Sequence, residues 1–284
     1  MKKVWLGMAA LALMAASCSG NKSDDIVTPE VPKTPDWRVA GIIGVHLDDK
    51  GEASNIIDST VFAYNPDKTF SFRETFQGET MDFYFKYTVG YDKNNIVNLT
   101  RKFGLTGTPK VITETHLLNN QIVRYFEPGY ANTRYDSLVY ENNKIVKVVF
   151  KHEDIRAHKI WEYTWQGDNV VEERAYMTNQ GTLAMELVSI YKHTYSNVPN
   201  IFKSMTGLHL LREYIPNVQQ LSANMVNTTT ITDATGKLQY QFAHSRSMND
   251  KNLPATDTVR QQTFGSFPGA SSSVSHYKYI DLNK

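Results

Sequence analysis

A single cysteine, Cys18, is all the thiol chemistry this 284-residue chain carries. It excludes an intramolecular disulfide and any zinc site built on two or more cysteines. A surplus of either charge is also missing. Thirty basic and 29 acidic residues leave a formal charge of +1, so there is no basic field to neutralise a phosphate backbone, and nucleic acid is excluded as a partner. No apolar run is long enough to cross a membrane as a helix: the longest, Val4 to Ala16, spans roughly 20 Å at 1.5 Å per residue, against ~30 Å of hydrocarbon. What is abundant is aromatic side chain, 12% of a chain that is 41% hydrophobic and 21% charged, too apolar for a disordered polymer.

Lys2 and Lys3 followed by that short apolar run read as a signal peptide over 1–17. Met14-Ala15-Ala16-Ser17-Cys18 resembles a bacterial lipobox, with Met where Leu is commoner. The resemblance implies cleavage before Cys18, diacylglycerol on its sulfur and acylation (palmitate-type) of the new amine. Two or three acyl chains anchor firmly where one binds marginally. A buried structural role for Cys18 is not expected, because a residue directly after the apolar run has no core to enter. Residues 18–36 read as an extended tether, with Pro29, Pro32 and Pro35 at every third position. Lys22-Ser23-Asp24-Asp25 resembles the short acidic export signal of Bacteroidetes surface lipoproteins. The expected location is therefore the outer membrane, lipid-anchored and facing the cell surface, with the periplasmic face as alternative.

From Trp37 to Lys284 the texture is that of one β-rich domain. Phe83, Phe85, Tyr87 and Val89 alternate with polar residues, as do Trp161, Tyr163 and Trp165, the pattern of half-buried strands. Asn94-Asn95, Asn119-Asn120, Asn142-Asn143 and Asp168-Asn169 each precede an apolar strand start. Asn tolerates the positive φ of tight hairpin turns. The markers Val97, Val123, Val146 and Val171 are spaced 26, 23 and 25 residues apart, one hairpin per unit. The expected fold is all-β: an antiparallel meander of about 25-residue hairpin units, curled into a barrel or a strongly twisted sheet. One amphipathic helix is expected over 200–214, from Ile201, Phe202, Met205, Leu208 and Leu211 at helical spacing, capping or plugging the sheet. Ala270 to Ser273 reads as a loop before a last strand, Val274 to Ile280.

The lipobox and tether, the Tyr-rich strands with Asn turns (Tyr91-Asp92 with Asn94-Asn95, Tyr140 with Asn142-Asn143) and the segment Tyr195 to Phe202 resemble a Bacteroidetes lipoprotein family of unknown function with a porin-like β fold. The closing Tyr277-Lys278-Tyr279 strand fits the same pattern, and the Tyr-Asp turns are similar to YD-type repeats of bacterial surface shells. The resemblance implies fold and location, and brings no catalytic residues with it.

Motifs for chemistry are weak. Gly265-Ser266 lacks the spacing of a nucleophile elbow. Gly104 to Lys110 carries Pro109 and no Gly-Lys-Ser/Thr ending, so it reads as a hairpin return rather than a phosphate loop. Asp48-Asp49-Lys50-Gly51-Glu52 is too short for a calcium loop and reads as a turn. His152, His158, Glu153 and Asp154 read as a solvated loop rather than a metal site. Glu172 and Glu173 would point to opposite strand faces, so they cannot flank one glycosidic bond. No metal and no cofactor is expected. Trp161, Tyr163 and Trp165 read either as a platform for stacking on sugar rings or as core filling a curled sheet. The leading expectation is a non-enzymatic surface protein binding a glycan, peptide or protein. An accessory subunit of an outer-membrane complex and a carbohydrate-active hydrolase are the alternatives. A membrane-spanning barrel is not expected, because Asp136 to Glu141 and Lys144 to Phe150 mix charge into both strand faces.

Overall fold

The computed structural model describes residues 34–78, 83–92, 95–119, 121–130, 133–151, 157–179, 181–203, 218–264 and 268–284. Cys18 and most of the tether lie outside them. The strands are β1 (Trp37–Leu47), β2 (Ala53–Tyr64), β3 (Phe70–Gln77), β4 (Phe83–Tyr91), β5 (Ile96–Phe103), β6 (Lys110–Leu118), β7 (Gln121–Phe126) and β8 (Tyr135–Glu141). They continue with β9 (Lys144–Lys151), β10 (Ala157–Gln166), β11 (Asn169–Thr178), β12 (Met185–Pro199), β13 (Asn224–Asp233), β14 (Leu238–Met248), β15 (Pro254–Thr263) and β16 (Gly269–Asp281). Each pairs antiparallel with its neighbours in sequence, and β1 pairs with β16, so the sheet closes as a sixteen-stranded up-and-down barrel.

The expected turns set the meander. Asn95, Asn119, Asn142 and Asn143 all have positive φ (59°, 51°, 50° and 63°), and Asn142-Asn143 is a two-residue hairpin with both φ positive. The fourth turn falls one residue earlier than its sequence suggests. Gly167 takes the positive φ (53°), while Asn169 already pairs with Gln166 in the ladder. All four turns lie at the barrel end that also carries Trp37 and Asp281; we call it the turn end.

The 25-residue period has a hydrogen-bond counterpart there. Tyr64 donates its hydroxyl to the Val39 carbonyl (2.7 Å), Tyr91 to Phe70 (3.0 Å), and Tyr279 to Pro254 (2.7 Å). Tyr195 donates to the Val170 carbonyl, Trp165 Nε1 to Ile145 (2.8 Å), and Arg246 Nη2 to Val226 (2.5 Å). In each case a residue late in an even strand reaches a carbonyl early in the preceding odd strand. At Tyr64, Trp165 and Tyr195 the register shifts at that same residue. A bulge leaves backbone groups outside the ladder, and a buried carbonyl without a donor is costly, so the ring supplies one.

Sixteen strands enclose a lumen wide enough for a channel unless it is filled. Here one apolar cluster fills it near the turn end, drawing on Val39, Phe70, Leu99, Val148, Val170 and Val226 from around the wall. The connection between β12 and β13 adds Ile201 and Val218. Asn200 and Ser222, both buried, pin that connection. Asn200 Nδ2 donates to the carbonyls of Gln219 (2.5 Å) and Ser222 (2.7 Å), and the Val170 amide donates to Ser222 Oγ (3.1 Å). Asn169 and Asn224 exchange two further bonds.

Two local expectations are corrected. Residues 201–203 form a turn, and the described helix is the short α1 (Val218–Leu221); positions 204–214 of the expected helix lie outside the described residues. Asn200 spends its side chain on carbonyls of the returning chain, which favours a turn over a helix start. Ala270 to Ser273 belong to β16, paired with Gln262 to Val259. Ladder pairing on both sides overrides their weak strand propensity.

A polar recess in the barrel lumen

The pairing registers fix which side chains share a face. The fully buried Val148 pairs with Leu138 and Trp161, so these point inward, whereas Lys147 pairs with Val139 and Glu162 on the outer face. Outside, continuous lines of partners run Lys147, Glu162, Arg174 and Ile190, and then Glu172, Lys192, Thr230 and Gln241. Lys147 Nζ lies 2.8 Å from Glu162, and Arg174 Nε 2.7 Å from Glu172.

Inside, the wall divides. From β4 to β11 its inward residues are mostly apolar, Val89, Leu99, Leu138, Val148, Trp161 and Tyr163 among them, with Thr115, Asp136 and Glu173 as polar exceptions. From β14 round to β3 a polar group stands among apolar residues such as Val39, Phe62 and Phe70. Asp257 Oδ2 accepts from Arg246 Nη2 (3.0 Å) and pairs with His244 Nδ1 (3.0 Å), all three side chains being buried. Among the described residues Asp257 Oδ1 is buried with no hydrogen-bond partner. These groups border a cavity of about 400 Å³, whose wall also includes Asp58, Ser273 and Ser275, with Gln219 and Gln220 from the connection. Burial raises the Asp58 carboxyl above its ordinary range, opposed by the Gly44 amide and by Arg73. Gly44 leaves room for Asp58 opposite: a Cβ there would sit 3.0 Å from Asp58 Oδ1, and the carboxyl would have to shift. Burial also pushes the Tyr277 hydroxyl of the same cavity upward, so it stays a donor.

A second interior cluster joins Glu173, His193 and Thr229. His193 Nε2 lies 3.0 Å from Glu173 Oε1 and Nδ1 2.9 Å from Thr229 Oγ1. The His193 side chain is 2% exposed, so no substrate reaches it. The chain of bonds satisfies buried polar groups. Glu172 and Glu173 do face opposite ways: the first pairs with Arg174 outside, the second is inside.

The alternative of a stacking platform is corrected for two of its three residues. Trp161 and Tyr163 are in the core, 9% and 5% exposed, with Trp161 against Tyr191 at 5.1 Å between ring centroids. Trp165 is half-buried and bonded to Ile145 through its indole nitrogen. Filling so wide a lumen needs the largest side chains available, which takes these rings inward. His158 lies in β10 rather than a loop, and His152, Glu153 and Asp154 lie outside the described residues. Among the described residues no three His, Cys, Asp or Glu side chains converge as for a metal. The Arg246–Asp257–His244 group escapes sequence reading because its members meet only through the β14–β15 register.

The class defined by this fold is a closed sixteen-stranded antiparallel barrel with a charged outer wall and a packed lumen. No family model and no curated protein matches the chain. Among solved structures it is similar to a porin-like protein from Bacteroides uniformis, with a TM-score of 0.55 at 9% identity, covering 85% of this chain and 98% of that one. It is also similar to a porin-like protein from Bacteroides vulgatus, with a TM-score of 0.47 at 10% identity, covering 86% and 99%. At this identity the first likeness establishes the fold alone.

Proposed function

We propose that this chain is a non-enzymatic binding protein of the bacterial cell envelope, anchored to the outer membrane through lipid on Cys18 and holding a small polar ligand in its lumen. The observation that carries the reading is charge at mid-strand positions of the outer wall. A spanning barrel needs an apolar outer band ~25 Å tall. Here Lys147, Glu162, Arg174, Glu172 and Lys192 occupy outer positions in the strands, and apolar side chains and the β12–β13 connection fill the inside. Such a barrel belongs in water, tethered beside a membrane, and a filled lumen suits retention rather than conduction. The cavity beside Asp257 offers a buried acceptor without a donor, together with hydroxyls and amides, in a volume within the usual range for ligand pockets.

A second reading, an accessory subunit of an outer-membrane complex, draws on the rim opposite the turn end, where Phe83, Phe103 and Leu105 are 58%, 58% and 69% exposed. The two separate on a pull-down of the intact envelope protein with Phe103→Ser and Leu105→Ser as controls. A stoichiometric partner lost in both variants favours the subunit.

The primary test is the mass of the mature N-terminus, expected as an acylated diacylglyceryl Cys18. Unmodified Cys18 overturns the anchor. Planar-bilayer recording is expected to give no conductance steps, and discrete steps overturn the binding reading. Cys18→Ser is expected to leave the barrel soluble without detergent.

A further inference from the structure

We propose that a recess in the barrel wall around the β7–β8 seam is a second binding site, distinct from the lumen cavity, for a small organic anion with an apolar body. The seam is the weakest in the barrel. β7 and β8 pair only through Arg124 with Ser137 and Tyr125 with Asp136, whereas β8 and β9 pair along their whole length. Beyond Tyr125 the strands separate, and the wall opens into a recess of about 560 Å³.

Its lining has two characters. Four bases, Arg101, Lys110, Arg134 and Lys151, face two acids, Glu127 and Asp136, in a protein with no overall charge bias. The positions are built: Arg101 and Lys110 are cross-strand partners, and Lys151 Nζ is held 3.0 Å from the Tyr135 hydroxyl. Burial also pushes Asp136 up to about 7, against Lys159, so near neutrality much of its negative charge is absent. The rest of the wall is ring and alkyl surface, chiefly Tyr125, Phe126 and Phe150.

The Tyr125 hydroxyl gives an independent sign of a missing partner. Tyr125 is 6% exposed, and its buried oxygen has no hydrogen-bond partner among the described residues. A buried hydroxyl left unpaired costs about 1–3 kcal/mol, which an acceptor on a bound anion would relieve. The excess of bases disfavours a cation. The aromatic wall would go unused by an inorganic anion, and the volume is that of a single small molecule, not a polymer.

The test is equilibrium dialysis of the full chain with three probes: naphthalene-2-sulfonate, the uncharged naphthalene-2-sulfonamide, and inorganic sulfate. Saturable binding of the sulfonate is expected, at least tenfold tighter than the sulfonamide or sulfate, a difference of about 1.4 kcal/mol. Lys110→Gln and Lys151→Gln are each expected to weaken the sulfonate severalfold. Lys192→Gln, on the outer wall, is expected to change nothing. Lys110 is exposed in the unliganded chain, so its replacement leaves folding intact and keeps the test decisive. Equal affinity for sulfonate and sulfonamide overturns the proposal, as does equal affinity for sulfonate and sulfate, no binding at all, or an unchanged affinity in both lysine variants. None of these results bears on Cys18 or on the lumen cavity.

Discussion

The inner wall from β4 to β11 and the inner wall from β14 to β3 are built on the same hairpin repeat and do different jobs. The first presents Val89, Leu99, Val148 and Trp161, packed into the apolar cluster. The second presents Asp58, Arg73, His244 and Asp257 and leaves a cavity. The outer wall mixes charged and apolar residues on both sides, Lys147 and Glu162 beside Val149 and Ile160 on one and Lys278 beside Val61 and Ile280 on the other, so the difference is not one of solvent exposure. It arises from which inward positions of the repeat are spent on packing. Apolar rings from every side meet near the turn end and close the lumen there. Farther along the strands, only one side remains apolar, so the space opposite stays open and must be lined by groups that satisfy one another. Among the described residues the Arg246–Asp257–His244 group does this except at Asp257 Oδ1 and Arg246 Nε.

That contrast breaks most visibly by damaging the packing at the turn end, to which both walls contribute. Phe70 is fully buried, with Phe62 and Tyr64 edge-on at 6.1 and 6.0 Å. Phe70→Ala is expected to cost about 3–5 kcal/mol, read as a fall in the denaturant midpoint with little change in slope. On the polar side, Asp257→Leu leaves Arg246 buried without its carboxylate and is expected to cost about 3 kcal/mol. The double variant Arg246→Met, Asp257→Leu should recover most of that. If it is as unstable as the single variant, the ion group serves packing rather than lining a site.

Much of this was legible in the chain and some was not, for identifiable reasons. The Asn turns and the 25-residue spacing announce the meander, because hairpin chemistry is local. They also account for the Tyr before each turn, whose hydroxyl closes a bulged carbonyl one strand back, although that role needs the register to be seen. At the start of the helix expected over 200–214, residues 201–203 form a turn, because apolar spacing alone does not reveal that Asn200 bonds the returning chain. The inward turn of Trp161 and Tyr163 was one of two open readings, since period two gives a stripe but not its direction. The cavity was invisible: Asp58, Arg73, Asp257 and His244 lie far apart in sequence and are brought together by closure between β1 and β16.

A subtler asymmetry lies at the wall recess, where Asp136 faces the packed side. Burial raises its carboxyl to about 7, above the value expected for the unfolded chain. The folded state therefore favours the neutral form. Little penalty applies near pH 4; it grows as pH rises from there towards 7 and is complete above it. Asp136→Asn is thus expected to stabilise the protein at pH 8 by on the order of 2 kcal/mol and to be neutral at pH 4. A gain independent of pH, measured by urea melts at both values, would show that the carboxyl ionises freely in the fold.

The smallest effect expected is on the outer wall, and it discriminates between environments. Lys147 and Glu162 form an ion pair whose side chains are 37% and 38% exposed. In water such a pair contributes about 0–1 kcal/mol, falling with salt. Lys147→Met removes the charge and adds an apolar surface to the wall. If that wall lies in water, the variant should lose no more than about 0.5 kcal/mol at low salt, the loss should vanish at 1 M salt, and it should not enter lipid vesicles. If the wall faced hydrocarbon, where an outward lysine costs about 2–4 kcal/mol at mid-depth, the same change should stabilise the barrel in lipid by an amount of that order. The sign of a change this small therefore distinguishes a tethered barrel from a spanning one.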